Sequence, residues 1–184
     1  MIRILVLMIV SLSASSAAIA DDGWLAWLGR AHSFKLLGSE DARRGFYFGL
    51  EQSKAEPRFH FWGHDGELVR EVYYLKSDGG GFRLWPETTA HNYGVTVAGR
   101  FWQKGGSATG LYVEVGWGID YINRLTYDVY TRINSSPVLG FGVSFEVGGR
   151  ETLVGLRWKH ISNAGSAGPN EGENYFLLLV GVRL

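Results

Sequence analysis

Leu111-Tyr112-Val113-Glu114-Val115-Gly116-Trp117-Gly118-Ile119-Asp120-Tyr121 decides the fold. Leu111, Val113, Val115, Trp117, Ile119 and Tyr121 share one side. Tyr112, Glu114, Gly116, Gly118 and Asp120 share the other. A period of two residues is the mark of an extended strand with one greasy and one polar face. Leu139, Phe141, Val143, Phe145 and Val147 repeat the pattern against Gly140, Gly142, Ser144, Glu146 and Gly148. A soluble sandwich shows the same alternation with its greasy face turned inward. Two features favour a membrane instead. The runs match the roughly 9–11 residues a strand needs to cross a bilayer, and an export signal precedes them. Arg3 supplies a positive start, Ile4 to Val10 a short apolar core, and Ala18-Ile19-Ala20 a small-residue cleavage site. Residues 1–20 are therefore expected to be a signal peptide, with the barrel domain at 21–184. The apolar core is too short for a spanning helix.

Composition agrees with that reading. Gly numbers 26 in 184 residues, about twice its usual share, beside 7 Trp, 9 Tyr and 10 Phe. Rich Gly and aromatics suit a closed barrel with tight strand packing and aromatic girdles. Cys is absent, which excludes disulfides and Cys-based zinc sites. Without Arg3 the chain carries 17 basic and 18 acidic residues, so no basic footprint points to nucleic acid.

Strands are expected near 44–52, 57–63, 67–76, 93–103, 110–121, 137–148, 151–162 and 173–184. Eight is even, as single-chain bacterial barrels require. The expected fold is thus all-β, an eight-stranded antiparallel transmembrane β-barrel of the cell outer membrane. Leu125 to Arg132 reads as a further short strand or a loop. Asp21 to Ser39 carries Trp24, Leu25, Trp27 and Leu28 at helical spacing, which fits a small amphipathic helix or a disordered lead-in.

Strand parity then locates the chemistry. Phe176, Leu178, Val180, Val182 and Leu184 form an apolar face on the last strand. With an even strand count both chain ends lie on the periplasmic side, where turns are short. Gly148-Gly149-Arg150 is such a turn, so strand 151–162 runs outward and 163–172 is an external loop. Arg157 and Lys159 belong in a polar lumen, because charge on the lipid face is costly. With Glu114 and Glu146 they are expected to form a charged lumen network. The even residues, ending in Trp158, His160 and Ser162, then face lipid. A general base and a hydroxyl adjoin at the outer end of a lipid-facing row, as serine nucleophiles require. Taken alone, in an arbitrary barrel, His-x-Ser reads first as an interfacial His and a strand-end Ser.

The flanking residues add a resemblance. His160-Ile161-Ser162-Asn163-Ala164-Gly165, followed by Pro169-Asn170, Gly172 and Asn174, resembles the signature of the PagL family of lipid A 3-O-deacylases. Val154-Gly155-Leu156-Arg157 and Tyr112-Val113-Glu114-Val115-Gly116-Trp117-Gly118 fit the same family. The resemblance implies an outer-membrane barrel with its active site on the outer wall. It implies that Ser162 is the nucleophile, His160 the general base, and Asn163 with the backbone N–H of Gly165 the oxyanion donors. The substrate implied is lipid A, the lipid of lipopolysaccharide, with no metal and no other cofactor. The family pattern has Glu twelve residues after the Ser, and this chain has Asn174 there. Glu173 is the fallback for that role but is expected to face the lumen; Glu171 lies in the loop. Two other readings stay open: a structural or adhesive barrel without catalysis, and another lipid-active acyl hydrolase or acyltransferase. His60, His64 and His91 do not fall at metal-ligand spacing, and no helix pattern follows Gly79-Gly80-Gly81 to make a phosphate cradle.

Overall fold

The computed structural model describes residues 23–37, 39–61, 64–80, 87–103, 110–168 and 171–184. Residues 1–20, expected to be a signal peptide, and Pro169-Asn170 fall outside them. Nine antiparallel strands follow in chain order: β1 Gly23–Ser33, β2 Arg43–Phe61, β3 His64–Gly80, β4 Glu87–Trp102, β5 Gly110–Ile122, β6 Ile133–Ser135, β7 Val138–Val147, β8 Arg150–Ile161 and β9 Glu173–Arg183. Their order is β4-β3-β2-β1-β9-β8-β7-β5, and β4 pairs back onto β5. Eight strands therefore close on themselves, with the three-residue β6 attached to the rim of β5. Closure leaves no exposed sheet edge, the condition for strands in lipid.

The eight long strands are partitioned differently from the sequence expectation. Residues 23–33 form β1, neither a helix nor a disordered lead-in. Leu25 and Trp27 point into the lumen, fully buried, while Leu28 lies exposed on the wall. Both faces of β1 are apolar, so alternation is masked and the spacing of its aromatics imitates a helix. The expected strands 44–52 and 57–63 are one strand, β2, whose pairing with β3 shifts between Ala55 and His60. Leu125 to Arg132 is loop and leads into β6.

Through the middle of the barrel the polar parity faces the lumen. Arg100 reaches Glu51 at 2.7 Å and Glu114 at 2.7 Å. Arg157 reaches Glu71 at 2.9 Å and Glu114 at 3.0 Å. Trp27 donates its indole N–H to Glu51, and Tyr47 its hydroxyl to Glu71. Lys159 lies over the Tyr73 ring and donates to Thr96. Glu146 is not part of this network: it sits on the lumen parity of β7 but at the rim, exposed. The wall is the reverse. Val115, Trp117, Leu139, Phe141 and Leu178 each leave more than half of their surface exposed, an apolar band turned to lipid.

Breaking a buried pair by removing one partner costs about 3–5 kcal/mol, because the other charge stays buried without its counterion. The folded protein is therefore expected to migrate ahead of its boiled form on an SDS gel. Arg100→Ala, which leaves Glu51 and Glu114 facing each other, is expected to lower the temperature at which the fast band disappears. A single band position before and after boiling would contradict a closed barrel.

Candidate active site

The loop residues 34–37, 39–42, 123–132, 162–168 and 171–172 gather at the rim opposite Gly23, Leu184 and the Gly148-Gly149 turn. The longer loops of such barrels face outward, which places the end of β8 at the external surface. There Arg157 and Lys159 are buried in the lumen, while Trp158 and His160 stand on the wall. The Trp158 and His160 rings stack at 6.0 Å between centroids.

His160 and Asn174 are directly paired across β8 and β9. His160 Nδ1 lies 2.9 Å from Asn174 Oδ1. Asn174 Nδ2 donates to the backbone carbonyl of Leu36 at 2.7 Å. This second bond settles the first. A carbonyl only accepts, so the amide must turn its NH₂ toward Leu36 and its oxygen toward the ring. The oxygen also only accepts, so in the neutral imidazole Nδ1 carries the proton and Nε2 keeps the lone pair. Glu173, one residue away, is fully buried in the lumen beside Arg43 at 3.7 Å and accepts the Tyr175 hydroxyl.

Ser162 follows β8 and is held by backbone bonds to Ser135 in both directions, at 2.7 Å and 3.1 Å. Gly172 closes the space between the two side chains. A Cβ there would lie 2.6 Å from His160 Cε1 and 2.8 Å from Ser162 Cβ. Those two atoms are therefore no farther apart than the sum of the two distances, about 5.4 Å. No side-chain hydrogen bond between His160 and Ser162 is formed among the described residues. Such contacts are often loose before substrate binds.

Asn163 to Ser166 is a tight turn. Ala164 and Gly165 have φ of 53° and 79°, and Ser166 N–H donates to Asn163 O at 3.1 Å, the pattern of a type I′ turn. Within it the Gly165 N–H donates to Asn163 Oδ1 at 2.9 Å, and Asn163 Nδ2 donates to the Ala167 carbonyl at 2.7 Å. The turn thus brings Asn163 and Gly165 together beside Ser162, with the Gly165 N–H engaged internally. Glu171 lies in the same loop, partly exposed. No group of three or more His, Cys, Asp or Glu among the described residues is placed to hold a metal ion.

Asp128 supports both sides of the site, and the sequence offered no sign of it. Its carboxylate accepts the Asp41 N–H at 2.7 Å, the Glu40 N–H at 3.0 Å and the Ser39 hydroxyl at 3.1 Å. These bonds fix the 34–42 loop that presents the Leu36 carbonyl. Its own backbone carbonyl accepts the Gly172 N–H at 3.0 Å. Burial pushes the Asp128 carboxyl above its usual range, and the donors from Asp41, Glu40 and Ser39 draw it back only in part.

The sequence profile of the lipid A 3-O-deacylase (PagL) family matches residues 21–183. The chain belongs to this family. It is an outer-membrane β-barrel, as the family assignment and the closed eight-stranded wall both indicate. Among solved structures it is similar to the outer membrane enzyme PagL, at 19% identity and a TM-score of 0.64, over 89% of this chain and 100% of that one. It is also similar to Neisserial surface protein A (NspA), at 16% identity and a TM-score of 0.59, over 89% of this chain and 96% of that one. At such identities both likenesses speak to the fold alone. No curated protein sequence matches the chain.

Proposed function

We propose that this PagL-family member is a serine hydrolase that releases the ester-linked acyl chain at the 3-position of lipid A. The observation that carries the proposal is the Leu36–Asn174–His160 chain of hydrogen bonds, which leaves the His160 Nε2 lone pair open on the same face as Ser162. Nε2 takes the Ser162 proton as Oγ attacks the ester carbonyl, and the charge developing on the carbonyl oxygen needs donors. Asn163 and the Gly165 N–H are the proposed donors. The Gly165 N–H is then exchanged from Asn163 Oδ1 to the oxyanion, a trade of one hydrogen bond for a charge-assisted and stronger one. His160 returns the proton to the sugar oxygen as the C–O bond breaks. Water, deprotonated by the same imidazole, then cleaves the acyl-Ser162 ester to a free hydroxylated fatty acid and regenerates Ser162.

The replacement of the family's Glu by Asn174 bears on this mechanism. An Asn that turns its NH₂ to the ring enforces the wrong tautomer, which drops the rate about ten-thousandfold in a serine protease. The Leu36 carbonyl opposes that orientation here. The amide still lacks the full charge that would stabilise an imidazolium. Asn174→Ala is accordingly expected to lower kcat at least about tenfold with KM little changed. Glu173→Gln is expected to leave kcat nearly unaltered, since Glu173 faces the lumen. The reverse ranking, read from initial rates, would remove Asn174 from the mechanism.

The proposal itself is tested by incubating the refolded protein with lipid A in mixed micelles and extracting the free acids. A hydroxylated fatty acid accumulating with time supports it. Release of a phospholipid acyl chain only, or of nothing, rejects it.

A further inference from the structure

We propose that the outer wall of β1–β3 carries a binding site for the phosphate groups of a phosphorylated glycolipid, and that it holds the head group while Ser162 acts on an acyl chain. The inference rests on the proposed function for the identity of the lipid and on independent observations for the site.

A concave space of about 670 Å³ opens on the wall, lined by Arg30, His32, Arg44, Phe46, Lys76 and Asp78 with the backbone at Ala31 and Gly45. The register makes it one cluster. Arg30 is paired with Phe46, and Phe46 with Lys76. His32 is paired with Arg44, and Arg44 with Asp78. Three cations thus surround the Phe46 ring. Lys76 meets Asp78 at 3.2 Å, and Asp78 also accepts the Thr89 hydroxyl at 2.6 Å. Arg30 and Arg44 have no ion-pair or hydrogen-bond partner among the described residues. The cluster therefore carries two uncompensated guanidinium charges on diagonal neighbours about 7–8 Å apart.

Their depth makes this informative. Cations on a barrel's lipid face cost about 2–4 kcal/mol at mid-membrane and about 0–1 kcal/mol at the interface. Arg30, Arg44 and Lys76 all stand toward the external end of their strands, above exposed Leu28 and Phe48. The adjoining strands β4 and β5 present Tyr93 and Tyr121, paired with each other, and Arg132 donates to the Tyr121 hydroxyl at 3.3 Å. Arg132 is thus hydrogen-bonded, whereas Arg30 and Arg44 stand without partners among the described residues, on the neighbouring strands β1 and β2. A guanidinium matches a phosphate with two parallel hydrogen bonds, and paired arginines are suited to a doubly charged group. The apolar residues beneath suit acyl chains. A ligand with phosphates at the head-group level and hydrocarbon below fits both requirements.

Position ties the cluster to the candidate active site. His32 is also paired with Phe176, and Phe34 donates its N–H to the Asn174 carbonyl. Arg44 is therefore two strands and two residues away from Asn174, about 12 Å at ordinary strand spacing. One head group can lie across β9, β1 and β2 with a phosphate at the arginines and an acyl ester toward Ser162.

The test measures binding without turnover. The mature chain carrying Ser162→Ala is titrated in detergent micelles, by native mass spectrometry, with lipid A bearing its phosphates and with the same lipid after enzymatic dephosphorylation. The parent is expected to bind the phosphorylated form at least about tenfold more tightly, one charge-assisted contact being worth that much. Arg30→Gln with Arg44→Gln should erase the preference, and Arg30→Lys with Arg44→Lys should retain most of it. Heat-shifted mobility on SDS gels verifies that each variant is folded. Equal binding of both lipids by the parent, or a preference that survives the double Gln change, overturns the proposal. Deacylation is scored separately on the Ser162 protein. Its absence with the preference intact counts against the activity, not against the phosphate site.

Discussion

Ser162→Ala is expected to lower the release of hydroxylated fatty acid by more than about a thousandfold, and His160→Ala to do the same. In the proposed mechanism the hydroxyl supplies the bond-forming oxygen and the imidazole takes its proton, so neither loss would be covered by a neighbour. The second change adds little to the first, because residues that act as one unit are not additive. The barrel is spared. Ser162 is held by its backbone to Ser135, and His160 projects from a ladder whose hydrogen bonds do not use its side chain. Both variants should retain the fast gel band. A variant with near-normal release would take its residue out of the chemistry.

Gly172→Ala is expected to reduce kcat about a hundredfold without touching a reacting atom. The backbone φ there is +70°, where a Cβ is strained by about 1–2 kcal/mol. The methyl group would also lie 2.6 Å from His160 Cε1, 2.8 Å from Ser162 Cβ and 2.8 Å from the Ile161 carbonyl. Three crowded contacts cannot be relieved by one side chain turning, and two of them are the proposed base and nucleophile. A displacement on the order of 1 Å is enough for a loss of that size. Gly165→Ala is the control. Gly165 also has a positive φ, +79°, but a Cβ there meets nothing within 4 Å. That variant keeps its N–H and should lose far less. Equal effects at the two glycines would show that backbone strain, not crowding of His160 and Ser162, governs the rate.

The barrel was readable where one face is greasy and the other polar. β5 and β7 alternate cleanly, and the parity of β8 follows from Arg157 and Lys159 needing a lumen; β9 is apolar on both faces, with Leu177 and Leu179 buried in the lumen and Leu178 and Val180 on the wall. The same parity separates Asn174 on the wall from Glu173 in the lumen, and a one-residue slip would exchange them. β1 was unreadable because Leu25 and Trp27 fill the lumen with apolar bulk while Leu28 faces lipid. Glu146 misled because parity describes a face and not a depth. The support beneath the site was hidden for a different reason. Leu36 acts through its carbonyl, so its side chain leaves no trace in the sequence. Asp128 acts on Ser39, Glu40 and Asp41, which are 87–89 residues away along the chain. Gly172 was noticed as part of a motif, but only the structure gives the contacts that exclude a larger residue.

The most direct test of the account is tandem mass spectrometry of lipid A recovered after incubation with the protein. The account predicts a product lighter by one ester-linked hydroxyacyl chain, with fragments that place the loss at the 3-position. The Ser162→Ala protein should leave the lipid unchanged. Intact lipid A after incubation with a folded Ser162 protein, a chain lost from another position, or a chain gained would contradict it.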